Sequence, residues 1–150
     1  MNELESIVPP LELCKQIPAG EFEDSVLVWR DHSCRGYHVS ERFAGETSDC
    51  RGEQKFDCVG NAGLIVMKAT LPAPTLAEIL AKLPAAINGV GVLELALDDR
   101  AENNDGRYVI CYNRYGVDGA LEETTQLESD NNPATAALRM WLRIRREAGR

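Results

Sequence analysis

Hydrophobic and polar positions repeat with two different periods along this chain, and the switches between them mark out its elements. From Val92 to Leu97 the period is two. Leu93, Leu95 and Leu97 share one face, while Glu94, Ala96 and Asp98 share the other, which predicts a half-buried strand. Arg107 to Asn113 repeats the pattern, with Tyr108, Ile110 and Tyr112 opposite Val109 and Cys111. The polar stretch from Asp98 to Gly106 ends in Asp-Gly and predicts a hairpin with a loose tip. Ser25 to Arg30 is rich in β-branched and aromatic residues, and Gly63 to Ala69 is an apolar run; both predict strands.

Two segments switch to the helical period. Thr75 precedes Glu78 by three residues, the spacing of a capping box, and Leu76, Ile79, Leu80 and Leu83 then fall on one face before Pro84 ends the run. Asn132 and Pro133 open the second helix as cap and first residue. Its apolar face reads Ala134, Ala137, Leu138, Trp141 and Leu142; Arg143, Arg145 and Arg146 follow in the last turns, where cations complement the helix dipole. Residues 9–17 predict one or two further helical turns, stopped by Pro18 and Gly20.

Two regions lack a clean period. In residues 31–63, Tyr37, Val39, Glu41 and Phe43 alternate with polar neighbours, and Gln54 to Val59 forms a second short run, with glycines throughout. The reading is a set of irregular hairpins. Residues 116–131 are polar and acidic, and predict a long mobile connection. The sum is one α+β domain over residues 1–150: an antiparallel sheet with two main helices on one face, plus an irregular Cys/His-containing hairpin region at 31–63.

Charge narrows the partners. The net charge is −8, yet the stretch from Arg139 to Arg150 holds five arginines and one glutamate, so the body before it carries −12. Such a body repels phosphates, which disfavours direct nucleic-acid binding, and attracts basic protein surfaces, including a nuclease's groove; it also maintains solubility. The start, Met1 to Glu5, is acidic rather than signal-like, no segment is apolar enough to span a bilayer, and five cysteines are an odd number. The expectation is reduced thiols in a cytoplasm, with no membrane partner.

Candidate chemistry is sparse. Cys34, His38, Cys50 and Cys58 offer three sulfurs and a nitrogen for structural zinc, with His32 nearby, but no Cys-x-x-Cys pair sets two ligands in one turn. Free thiols and no cofactor are the favoured reading. His32 or His38 beside Cys34 also has the composition of a thiol nucleophile and base, without a marked oxyanion hole. Gly89-Val90-Gly91 follows a helix and precedes a strand, the wrong order for a phosphate loop. Asn103 to Gly106 fails as a calcium loop, because the EF-hand register places Ala101 and Tyr112 at its end ligand positions. No catalytic residue emerges, and a non-enzymatic role is expected. The Arg139–Arg146 cluster can clamp a phosphate or cap its own helix, and capping is favoured. A nucleotide-sequestering protein would need a basic or aromatic pocket, at a dimer interface or within one chain, and Arg107, Tyr112, Arg114 or this cluster are the candidates for it.

The segments Ile7 to Pro18, Ser25 to Trp29, Pro72 to Leu80 and Ala134 to Leu142 resemble a group of small phage and prophage proteins of gut bacteria. The resemblance covers about half of the chain and leaves residues 31–63 unmatched. It implies an accessory gene of a mobile element, acting in the bacterial host's cytoplasm, and transfers no activity or site residue. The leading expectation is a counter-defence protein that binds and inhibits a host protein such as a CRISPR nuclease. The alternatives are a binder that sequesters a nucleotide signal and a zinc-stabilised structural or virion-associated protein.

Overall fold

The computed structural model describes residues 3–32, 36–42, 68–98 and 108–149. The expected strand at Gln54–Val59, residues 63–67 of the expected strand at Gly63–Ala69, and the hairpin tip at 99–107 lie outside the described residues. After a helical turn at Glu3–Ser6 come α1 (Leu11–Cys14), β1 (Leu27–His32), β2 (Gly36–Glu41), β3 (Lys68–Pro72) and α2 (Leu76–Lys82). Then follow β4 (Ala86–Ile87), β5 (Gly91–Leu97), β6 (Tyr108–Tyr115), β7 (Leu121–Asp130) and α3 (Pro133–Ala148). The class is α+β, as the periodicities indicate. The strands form two antiparallel sheets rather than one, ordered β2-β1-β3 and β4-β5-β6-β7.

Both sheets feed one hydrophobic cluster. Leu27, Trp29 and Val39 enter from the first sheet and Ile110 and Tyr112 from the second, with Ile79 and Leu83 of α2 and the first turns of α3 between them. Every residue from Ala134 to Leu138 is buried. A helix enclosed on all sides in this way needs small residues, so that its neighbours approach closely, and three of these five are alanine.

Both predicted caps form. Thr75 Oγ1 accepts from the Glu78 amide at 3.4 Å, and a Glu78 carboxylate oxygen accepts from the Thr75 amide at 2.6 Å. Glu78 also accepts from the Ser25 hydroxyl at 3.1 Å and the Val26 amide at 2.9 Å, which ties the start of α2 to the entry of β1. Burial pulls the Glu78 pKa up, but these hydrogen bonds outweigh it and hold the carboxyl below its ordinary value. A depressed carboxylate stabilises the fold above its unfolded pKa, about 4.3, and that contribution is lost as the pH falls through the folded value. Glu78→Ala is expected to cost about 1–2 kcal/mol at neutral pH. Urea unfolding between neutral and acid pH checks this: the wild type should lose its advantage over the variant as Glu78 protonates, and a gap independent of pH would contradict the assignment.

Asn132 caps α3 twice over. Its Oδ1 accepts from the Ala134 amide at 2.9 Å and the Thr135 amide at 3.2 Å. Its Nδ2 donates to Ser6 O at 3.0 Å and Val8 O at 2.9 Å, so the same side chain fastens the N-terminal segment to the helix. Asn132→Ala is expected to cost about 2 kcal/mol, at the upper end for a cap because both sets of bonds are lost. Thermal unfolding measures it.

Residues 116–131 are not a mobile connection. Gly116 and Ala120 close a tight turn, the Gly116 amide donating to Ala120 O at 2.9 Å, and Gly119 takes a φ of +77°. The next ten residues are β7, paired with β6 along its length. Periodicity misses β7 because its inward positions are carboxylates. Glu128 and Asp130 stand opposite Ile110 and Tyr108 on the face that carries α3, where Arg143 and Arg139 meet them at 3.4 and 3.1 Å.

Candidate interaction face

The arginine cluster is spent on the protein itself. Arg139 joins its bond to Asp130 with one from Nη1 to Ser129 O at 3.3 Å. Arg143 bridges Glu128 and Glu147 and reaches Leu127 O at 3.5 Å. Arg145 pairs with Glu21 and lies 4.9 Å from the centre of the Trp141 ring, and Arg146 Nε donates to Leu142 O at 3.2 Å. Two of the remaining candidates are likewise occupied. Arg114 meets Glu123 at 2.7 Å and Glu122 at 3.5 Å. Tyr112 is buried with its hydroxyl donating to Pro84 O at 2.6 Å, and burial pushes its pKa up to about 12. Arg107 lies outside the described residues. These groups stabilise helix and sheet edge; Arg143 and Arg146 do line a cleft of ≈ 290 Å³, but with the carboxylates of Glu128 and Glu147, which oppose an anionic ligand. Thermal-shift measurement with cyclic nucleotides and ADP-ribose derivatives is expected to show no rise in melting temperature. A clear rise would restore the nucleotide-binding alternative.

Of the zinc candidates, Cys34, Cys50 and Cys58 lie outside the described residues. His38 sits in β2 opposite Arg30, and His32 ends β1 opposite Gly36. Among the described residues no group of three or more His, Cys, Asp or Glu side chains is placed to hold a metal. The two described cysteines are free and buried. Cys14 donates to Pro9 O at 3.5 Å, and burial raises its pKa to about 12. Burial, reinforced by the Glu94 charge, raises that of Cys111. Both are therefore poor nucleophiles at neutral pH.

The second sheet presents the most developed surface. Helix α3 lies on the face of Ile110 and Tyr112, its side chains meeting Gln126, Glu128 and Asp130. The opposite face carries three cross-strand rows: Val92, Asn113 and Thr124; Glu94, Cys111 and Leu127; Ala96, Val109 and Ser129. Among the described residues no helix is seated on it. Glu94 is its centre. One carboxylate oxygen accepts from Asn113 Nδ2 at 3.0 Å, the other accepts from the Tyr115 hydroxyl, and Thr124 Oγ1 donates to Asn113 Oδ1 at 2.7 Å. The bond to Glu94 raises the Tyr115 pKa, because the negative charge disfavours the phenolate. Val92 and Leu127, 48% and 50% exposed, flank the network.

Glu94, Asn113, Thr124 and Tyr115 thus form one hydrogen-bonded network across three strands, over the buried Cys111 and beside the half-exposed Val92 and Leu127. Sequence reasoning identified the alternation in β5 and β6 but not this constellation. The available signal was the register: once β5 pairs with β6, the polar faces of both strands coincide around Glu94. A separate groove of ≈ 630 Å³ lies at the loop before β1, lined by Glu21, Glu23 and Asp24 with Ile17, Pro18, Arg42 and Leu71; its Glu21 is paired with Lys82 and Arg145. No protein-family model, curated protein or solved structure matches this chain.

Proposed function

We propose that this chain is a phage accessory protein that binds and inhibits a host defence protein, such as a CRISPR nuclease, without catalysing a reaction. The observation that carries the reading is the division of charge. The arginines of α3 and Arg114 are committed to internal carboxylates and carbonyls, while the chain as a whole retains a charge of −8. The surplus that a partner meets is acidic, which complements the basic nucleic-acid groove of a nuclease. The outer face of the second sheet supplies apolar contact at Val92 and Leu127, and so a way to hold what the charge attracts.

Purified protein titrated into cleavage reactions of a panel of CRISPR nucleases tests the proposal. The expected result is stoichiometric loss of cleavage by at least one nuclease, weakening as salt rises because the attraction is electrostatic. Full cleavage by every nuclease, without detectable complex formation, would overturn it.

A further inference from the structure

The second sheet has two long edges, and the fold treats them differently. Strand β7 closes one side. There Arg139 and Arg143 donate to Ser129 O and Leu127 O, so carbonyls that would accept an added strand are already bonded. Strand β5 forms most of the other side. Its neighbour β4 has two residues and pairs only with Gly91 and Val92. The Leu93 amide donates to Ala85 O at 2.9 Å, away from β6. Strand alternation then directs the amides and carbonyls of Leu95 and Leu97 the same way, past the end of β4. Among the described residues nothing pairs with them there. Leu93 packs against the core cluster, whereas Leu95 is 41% and Leu97 64% exposed.

We infer that the Glu94–Leu97 edge of β5 accepts, by strand addition, an extended segment of the partner protein in which basic and apolar residues alternate. The inference rests on the binding role proposed above and specifies how the partner is engaged. The pattern of the edge chooses the occupant. Leu95 and Leu97 project to one face and call for apolar side chains opposite them; Glu94 projects to the other, where its negative charge calls for cations.

The test uses the whole protein and a capped synthetic peptide of about ten residues with lysine and valine alternating. Its controls are a glutamate–valine peptide and a lysine–valine peptide N-methylated along one edge. In the free protein, hydrogen exchange should be fast at the Leu95 and Leu97 amides and slow at Glu94 and Ala96. The lysine–valine peptide should slow exchange at Leu95 and Leu97 on the order of tenfold, and both controls should leave it unchanged. Leu97→Pro removes an amide that no strand among the described residues uses, so it should retain the melting temperature and lose the peptide. Unslowed exchange at Leu95 and Leu97, equal binding of the N-methylated peptide, or protection appearing with protein concentration alone would overturn the inference. Nuclease inhibition that persists in Leu97→Pro would overturn strand addition and leave the binding role standing.

Discussion

Replacing Trp141 with alanine is expected to lower the free energy of unfolding by about 3–5 kcal/mol, the range for truncating a buried tryptophan. Trp141 is 4% exposed at the centre of α3. Its ring meets Phe22 edge-on, with centroids 4.9 Å apart, and the Arg145 guanidinium lies 4.9 Å from its centre. The loss would spread beyond one cavity, because Phe22 has a φ of +56°, a left-handed conformation that a bulky residue keeps only under constraint. The constraint is visible on both sides. Phe22 packs on Trp141, Lys82 Nζ stands over the Phe22 ring at 4.7 Å from its centroid, and Glu21 binds Lys82 and Arg145. Trp141→Phe, which retains an aromatic ring, should lose far less. Urea unfolding of both variants checks the pair; a loss under about 1 kcal/mol for Trp141→Ala would contradict this packing.

Gly91→Ala is expected to cost on the order of 3 kcal/mol, from strained backbone and overpacking together. Gly91 has a φ of +144°, and an added Cβ would lie 2.5 Å from Asn113 O and 2.6 Å from its carbonyl carbon. Backbone atoms inside a ladder have nowhere to move, so β5 and β6 must separate where Val92 pairs with Asn113. Asn113 also holds Glu94, so the variant should disturb the outer face as well as stability. Gly89→Ala is the control. Its φ of +75° carries a penalty, but nothing lies within 4 Å of the added carbon, and its cost should be nearer 1 kcal/mol. Thermal unfolding ranks the two, and equal losses would contradict the clash.

What the chain discloses depends on whether the deciding interaction is local. Thr75 with Glu78, and Asn132 with Pro133, are legible because a cap is made by residues within one turn of each other. The β5 and β6 alternation is legible for a similar reason: Leu93, Ile110 and Tyr112 meet one core. Strand β7 was hidden because Glu128 and Asp130 occupy inward positions that alternation reserves for apolar side chains, and the arginines that make this acceptable come from another element. The leucine stripe shares one face, but the half-buried strand it predicts holds only at Leu93; no periodicity says where the cover over a face ends, so the exposure of Leu95 and Leu97 is not legible. The Glu94 network needed two strands in register before its members became neighbours. The arginine cluster is legible only in part as serving its own helix, where Arg146 Nε donates to Leu142 O and Arg143 pairs with Glu147. Its carboxylate partners on β7 are not legible, since that segment reads as loop.

The central claim is that the outer face around Glu94 holds a basic partner. It is tested most directly by the affinity of Val92→Ser/Leu127→Ser for a nuclease that the wild type inhibits. Both side chains are half exposed, so each substitution should change stability by no more than about 0.5 kcal/mol, and the acidic charge is untouched. Calorimetric titration of wild type and variant should give an affinity on the order of tenfold weaker for the variant, at an unchanged melting temperature. Equal affinities would place the binding surface elsewhere on the molecule and contradict the claim.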